Sequence, residues 1–251
     1  MPLNIYSQYT KPEGSIKFDE LVEQAKKLGV EALALTDHGN FSGIVEFYNA
    51  ALNSGIKPII GIDVFCKLES SKYIRMIFYI KNEIGYRSLL NLISNFKLSD
   101  EGFYYFLEKN IKDLHDVVLL ISLFKTDYLS SLVNMDYNIE EIHSKLENLD
   151  LNIKYYFQII KDDIPGNSLL TSNILEYAKK SNIELIAQNP VCYLKKDEQD
   201  TSNFMLNMSG VKLDANIDKN QYLGSLNDHA HFFPNELIEN KQKIINACNF
   251  M

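Results

Sequence analysis

Residues 32–40 read A-L-A-L-T-D-H-G-N, a short apolar run that ends abruptly in Asp37-His38-Gly39. The run predicts a buried strand, and Gly39 allows the sharp exit after it. Asp37 and His38 then stand at the carboxyl end of that strand, where α/β folds place their chemistry. Other polar groups fall near predicted strand ends: Asn4, Tyr6, Asp63, Arg75, Asn189 and Cys192, with Glu13 in the loop after the first strand. A histidine among carboxylates suits divalent ions that polarise phosphate and activate water; a centre of two or three such ions takes about six to nine His and carboxylate ligands. The chain has 5 histidines. His38 alone lies at a predicted strand end; His115, His143, His229 and His231 fall in predicted helices or loops and read as solvated surface. Cys192 reads as a small buried hydrophobe in preference to a ligand.

The elements that must position these groups alternate between the two periodicities. Strands are expected over residues 3–6, 32–36, 58–66, 73–80, 117–122, 155–160 and 184–188. Ser15 is expected to cap the first helix, with Asp19 and Glu20 in its first turn and an apolar stripe of Phe18, Leu21, Val22, Ala25 and Leu28. A second helix, residues 42–53, is expected to face inward through Val45, Tyr48 and Leu52. Further helices are expected over residues 85–96, 127–133, 139–149, 169–180, 198–208 and 235–248, with an irregular stretch at 210–231. Strands separated by helices predict an α/β fold, a distorted (β/α)7-type TIM-like barrel, with an open doubly wound sheet as the other possibility.

Composition narrows the function classes. A hydrophobic fraction of 46% and a charged fraction of 23% are ordinary for a soluble globular chain. No apolar run is long enough to cross a bilayer, and the first residues lack the pattern of a signal peptide, so a membrane partner is not expected. The 3 cysteines are far apart, which disfavours a disulfide framework and fits a reducing cytoplasm. A net charge of −8 with scattered Lys and Arg makes the chain alone a poor nucleic-acid binder. With no repeat or flexible linker, residues 1–251 read as a single domain. The stop just after an amphipathic helix, at Asn249-Phe250-Met251, reads as a cut inside a longer protein as much as a natural end.

Three stretches carry a family resemblance: Y-S-Q-Y-T-K-P-E-G, A-L-A-L-T-D-H-G-N-F-S-G-I-V-E-F-Y and G-I-K-P-I-I-G-I-D-V-F. Later pieces agree in order, I-K-N-E-I-G-Y-R-S-L-L-N-L-I-S, A-Q-N-P-V-C-Y-L and a final helix ending I-I-N-A-C-N. Together they resemble the polymerase-and-histidinol-phosphatase (PHP) domain, in the form found at the N-terminus of bacterial replicative DNA polymerase III α subunits. The segment around residues 32–62 is highly specific, and the stretch 98–153 is weak. Metal-binding members begin with His-x-His, where this chain has Asn4-Ile5-Tyr6. The following acidic position falls on Glu13, and the His of T-D-H is kept as His38. The next Glu is Asp63, and the next His aligns with Arg75. A later Cys or His aligns loosely near Phe124, and the closing Asp-x-His becomes Pro190-Val191-Cys192.

The resemblance therefore implies a degenerate metal site over Asn4, Tyr6, Glu13, His38, Asp63, Arg75 and Cys192, with no catalytic residue and no resident metal. Glu13, His38 and Asp63 remain as weak candidate ligands. Arginine brings a permanent positive charge to the place a cation would occupy, and Arg75 is expected to bridge Asp63 or Glu13. The implied role is an inactive structural and interaction module of a cytoplasmic replicative polymerase. Its partners would be the polymerase core of the same chain and a proofreading exonuclease subunit, with DNA reached only through the parent protein and Mg²⁺ used there. The competing expectations are an active phosphoesterase, a 3′–5′ exonuclease or phosphatase using Zn²⁺ or Mn²⁺, and a free-standing protein that merely shares the barrel.

Overall fold

Aliphatic and β-branched runs form an eight-stranded sheet. A computed structural model describes residues 1–70, 72–125, 127, 130, 135, 138–149, 151–161, 166–208, 220–224 and 233–250. The strands are β1 (Ala32–Leu35), β2 (Lys57–Lys67), β3 (Tyr73–Ile80), β4 (Lys97–Leu98), β5 (Tyr104–Leu107), β6 (Val117–Ser122), β7 (Lys154–Ile159) and β8 (Leu185–Ala187). The helices among the described residues are α1 (Phe18–Lys27), α2 (Ile44–Asn53), α3 (Glu83–Ser94), α4 (Ile139–Asn148), α5 (Asn167–Ser181), α6 (Gln199–Met208) and α7 (Asn235–Ala247).

The order across the sheet is β4-β5-β2-β3-β6-β7-β8, and β1 pairs with the first part of β2. The pairs β1/β2, β2/β5, β6/β7 and β7/β8 are parallel. Strand β3 runs antiparallel to both β2 and β6, and the short β4 runs antiparallel to β5. Ile5 forms isolated parallel bridges to Leu35 of β1 on one side and to Val191, just beyond β8, on the other.

Alternation along the strands divides the core in two. Ala32, Ala34, Ile59, Ile77, Tyr79, Val118, Leu120, Tyr156 and Ile186 form an inner layer, closed by Ile244, Ile245 and Cys248 at the C-terminal end of the chain. Their neighbours Leu33, Leu35, Ile60, Ile62, Phe78, Leu119 and Phe157 join a larger cluster with the helices α1, α2, α3 and α4. In the inner layer, small residues on β1 face bulky ones on β2, β3 and β6, and the polar groups of the site lie further along the same strands.

The α/β, TIM-like expectation holds, with local corrections. Residues 3–6 form no regular strand; their backbone is held instead by bridges and by bonds such as Thr36 N–H to the Ile5 carbonyl, 2.9 Å. Helix α1 starts at Phe18 after an extended Lys17, and the Ser15 hydroxyl donates to the Cys192 carbonyl at 3.2 Å instead of capping. Helix α2 buries Phe47 and Ala51, leaving Val45 71% and Leu52 49% exposed. Two overlapping apolar stripes compete there, and the one carrying Phe47 wins because that ring packs 5.7 Å from Phe18. Strands β4 and β5 were not expected. His143 is buried against Tyr155, Phe157 and Tyr177, not solvated. The helix expected at 127–133 lies largely outside the described residues, as do most of the irregular stretch 210–231 and both His229 and His231. Among the described residues no helix is long and apolar enough to cross a membrane.

Candidate functional site

The turn after β1 is fixed from both sides. The Asp37 carboxylate accepts from Ser7 N–H at 2.7 Å and from the hydroxyls of Ser7 and Thr10 at 2.7 and 2.6 Å. Burial pushes the Asp37 carboxyl up from its usual range, against the pull of these donors. Thr10 in turn accepts from the His38 N–H at 3.0 Å. Gly39 turns with φ +63°, donating to the Asp63 carbonyl at 2.8 Å, where a Cβ would stand 2.9 Å from Tyr104. Asp37 is thus a clamp for the loop 7–10, and the residue aimed inward is His38.

Register brings its partners alongside. His38 bridges Asp63 on β2, and the reversed direction of β3 places Arg75, near the start of that strand, opposite Phe65 at the same end. Arg75 is 1% exposed. Its Nε donates to both Asp63 oxygens, at 3.1 and 3.0 Å. One terminal nitrogen, Nη2, donates to the Tyr6 hydroxyl, and the other, Nη1, is ion-paired with Oδ2 of Asp127. The Tyr6 hydroxyl donates to Asp63 Oδ2 at 2.6 Å, and its ring stacks on His38 with centroids 4.5 Å apart. His38 Nε2 lies 3.2 Å from Glu13, and Nδ1 lies 3.6 Å from Asp63.

These contacts set the protonation states. Burial favours a neutral His38, but Asp63 and Glu13 outweigh it and push the ring pKa up to about 10. At neutral pH the imidazolium therefore donates through Nε2 to Glu13. Burial alone would raise the Asp63 carboxyl, yet Arg75 and His38 hold it below its usual value. Burial, the largest influence, drives the Tyr6 phenol well above its ordinary range. Three carboxylates, Glu13, Asp63 and Asp127, thus meet two internal cations.

Of the residues singled out in the sequence, Tyr6, Glu13, His38, Asp63 and Arg75 converge. Asn4 is buried nearby, but its side chain accepts from the Thr36 hydroxyl at 2.8 Å. Asn189 is engaged with the Lys161 backbone at 3.1 and 2.8 Å. Cys192 is packed among Tyr6, Tyr193 and Tyr222. Asp127 is the member that sequence reasoning missed. Its signal was an acid a few residues past the end of β6, in a stretch where the resemblance is weak.

Glu13, His38 and Asp127 bring donor atoms within 4.8 Å of one another, close enough to reach one ion. Among the described residues the buried Asp127 Oδ2 takes no aligned hydrogen bond; it is ion-paired with Arg75 and lies 3.9 Å from His38 Nε2. An ion there would meet the guanidinium directly, with Nη2 3.2 Å from His38 Nε2, and would have to displace the His38 proton. Beside the cluster opens a cavity of about 380 Å³, lined in part by Gln8, Thr10, Lys11, Phe65 and Tyr104.

Comparison with protein families matches residues 2–165 to the PHP domain. The DNA polymerase III subunit alpha of Borreliella burgdorferi is 25% identical over 270 residues, covering 98% of this chain and 23% of that protein. Its counterpart from Aquifex aeolicus is 28% identical over 261 residues, covering 95% of this chain and 22% of that one. The chain thus spans less than a quarter of the length of these relatives. A structure described as a metal-dependent phosphoesterase from Bifidobacterium adolescentis superposes with a TM-score of 0.51 at 12% identity, covering 74% of this chain and 86% of that one. At that identity the likeness speaks for the fold.

Proposed function

The chain belongs to the PHP domain family, and on that premise we propose that it is a non-catalytic structural and interaction module of a bacterial replicative DNA polymerase. In this reading residues 1–251 are a single domain at the N-terminal end of a longer, cytoplasmic polymerase chain. Its partners are the polymerase core of that chain and a proofreading exonuclease subunit, and DNA is met only through the parent protein, which uses Mg²⁺.

One observation carries the inactive reading: the buried Arg75 guanidinium between Asp63 and Asp127. Carboxylates gathered in a closed space repel one another unless a cation neutralises them. Here an organic cation does so, and a metal centre would duplicate its charge. Arginine offers no lone pair to a metal. Asn4, Tyr6 and Cys192, at positions where metal-binding relatives carry ligands, are engaged in other contacts.

The test is metal analysis of the purified chain together with hydrolysis of a generic phosphodiester. The expected result is no stoichiometric metal and no cleavage sensitive to a chelator. Near-stoichiometric zinc or manganese with chelator-sensitive cleavage overturns the proposal. That outcome would favour the second reading, an active phosphoesterase, which is supported by the approach of Glu13, His38 and Asp127.

A further inference from the structure

Lys241 lies on the buried face of α7 with Leu237, Asn240, Ile244 and Ile245, and it is 1% exposed. Among the described residues its Nζ makes one hydrogen bond, 3.1 Å to the Met1 carbonyl. Asn240 beside it donates to the Leu185 carbonyl at 2.9 Å, and Ile244 and Ile245 close the inner layer of the sheet. The helix is thus seated on the sheet through the turn that contains this lysine.

The charged groups on the surrounding elements give it no counter-ion. From the first residues comes the Met1 amine, itself a cation when protonated. From the start of β2 comes Lys57, whose Nζ is bound to the Ile245 carbonyl at 2.6 Å and to Asn249 at 2.9 Å. Beyond the end of β3, Lys81 faces Asp116 at 3.4 Å. Before β8, Glu184 is taken by Lys243 of α7, at 2.6 Å, and by Lys154 of β7. Among the described residues no carboxylate pairs with Lys241.

We propose that Lys241 makes the seating of α7 sensitive to protons: uptake of a proton at its Nζ loosens the helix from the end of the sheet that it closes. A neutral amine can remain there with one acceptor. An ammonium brings three donors and a full charge into apolar surroundings that satisfy one of them. The opened helix exposes the same group to water, where it is protonated freely. In keeping with this, burial pushes the Lys241 pKa down to about 7.

The experiment is a side-chain NMR titration of the lysines in the whole chain, combined with amide exchange at Ile244 and Ile245 in wild type and in Lys241→Met. Lys241 is expected to titrate near neutrality while the exposed lysines titrate at their usual alkaline values. The ratio of opening constants, wild type over variant, is expected to rise about tenfold per pH unit as pH falls from 10 to 7, then to level off. Titration of Lys241 together with the surface lysines, or a ratio independent of pH, overturns the proposal. Should Lys241→Met fail to fold, the wild-type titration decides alone.

Discussion

Arg75 Nε is shared between the two carboxylate oxygens of Asp63, at 3.1 and 3.0 Å, across the antiparallel pair β2/β3. The remaining guanidinium nitrogens reach Tyr6 and Asp127, so one side chain links the first residues, two strands and the segment after β6. Arg75→Ala removes the cation and leaves Asp63 and Asp127 buried. The expected loss is about 3–5 kcal/mol of folding stability, read by urea denaturation. Arg75→Lys is expected to recover only part of it, because a point charge cannot span three partners. A loss of less than about 1 kcal/mol in Arg75→Ala would show the guanidinium to be dispensable.

The Tyr6 hydroxyl both accepts from Arg75 and donates to Asp63. Tyr6→Phe keeps the ring stacked on His38 and deletes only this relay. The expected cost is about 1–3 kcal/mol, the penalty for a buried group left without its partner. Equal stability of Tyr6→Phe and wild type in the same denaturation would remove the hydroxyl from the account.

Asp37 gathers three donors from Ser7 and Thr10. Asp37→Ala strands them in the interior, at about 1–3 kcal/mol for each donor that water cannot reach. The loop 7–10 should then exchange its amides faster than in wild type, a change readable by hydrogen exchange. Unchanged protection at Ser7 and Thr10 would mean that the clamp lies elsewhere.

Two buried bases should oppose one another in the alkaline range. His38 is raised to about 10, so its contribution is complete below its unfolded value, about 6.5, and is lost as pH rises through 10. Lys241 is lowered to about 7, so its penalty is complete below 7 and is relieved as pH rises toward its unfolded value, about 10.4. Between pH 7 and 10 each is worth about 1.4 kcal/mol per pH unit, with opposite signs. Wild-type stability is expected to be nearly flat there, falling with pH in Lys241→Met and rising in His38→Asn. Below that range, Asp63, depressed by Arg75 and His38, adds stability that is present above its unfolded value, about 3.9, and is lost as pH falls further. Urea midpoints measured across pH for the three proteins check all of these slopes.

Much of this centre was legible because strand ends are local features. The run into Asp37-His38-Gly39, the strand through Asp63 and the strand opening at Tyr73 are each visible as apolar alternation broken by a polar group. The meeting of Arg75 with Asp63 followed from a resemblance that aligned one with a lost histidine and the other with a kept acid. Asp127 was not legible, because nothing in a single sequence says that a residue beyond the end of β6 stands against Arg75. The inward face of α2 was misread because Val45, Tyr48 and Leu52 make as good a helical stripe as Ile44, Phe47 and Ala51. The choice between them depends on where Phe18 stands, a contact distant in sequence. Ser15 carried the composition of a cap, but a carbonyl far along the chain claimed its hydroxyl.

Because β3 runs against its neighbours, the path from Lys67 back to Tyr73 determines which of its side chains look into the interior. Deleting one residue from that turn would shift the pairing by a single step and swing the guanidinium onto the helix-covered side, bringing an isoleucine or a methionine among the acids. Register shifts that preserve parity would keep the guanidinium on the same face but carry it along the strand, away from Asp63. Natural variation in the length of this connection should therefore be tightly restricted.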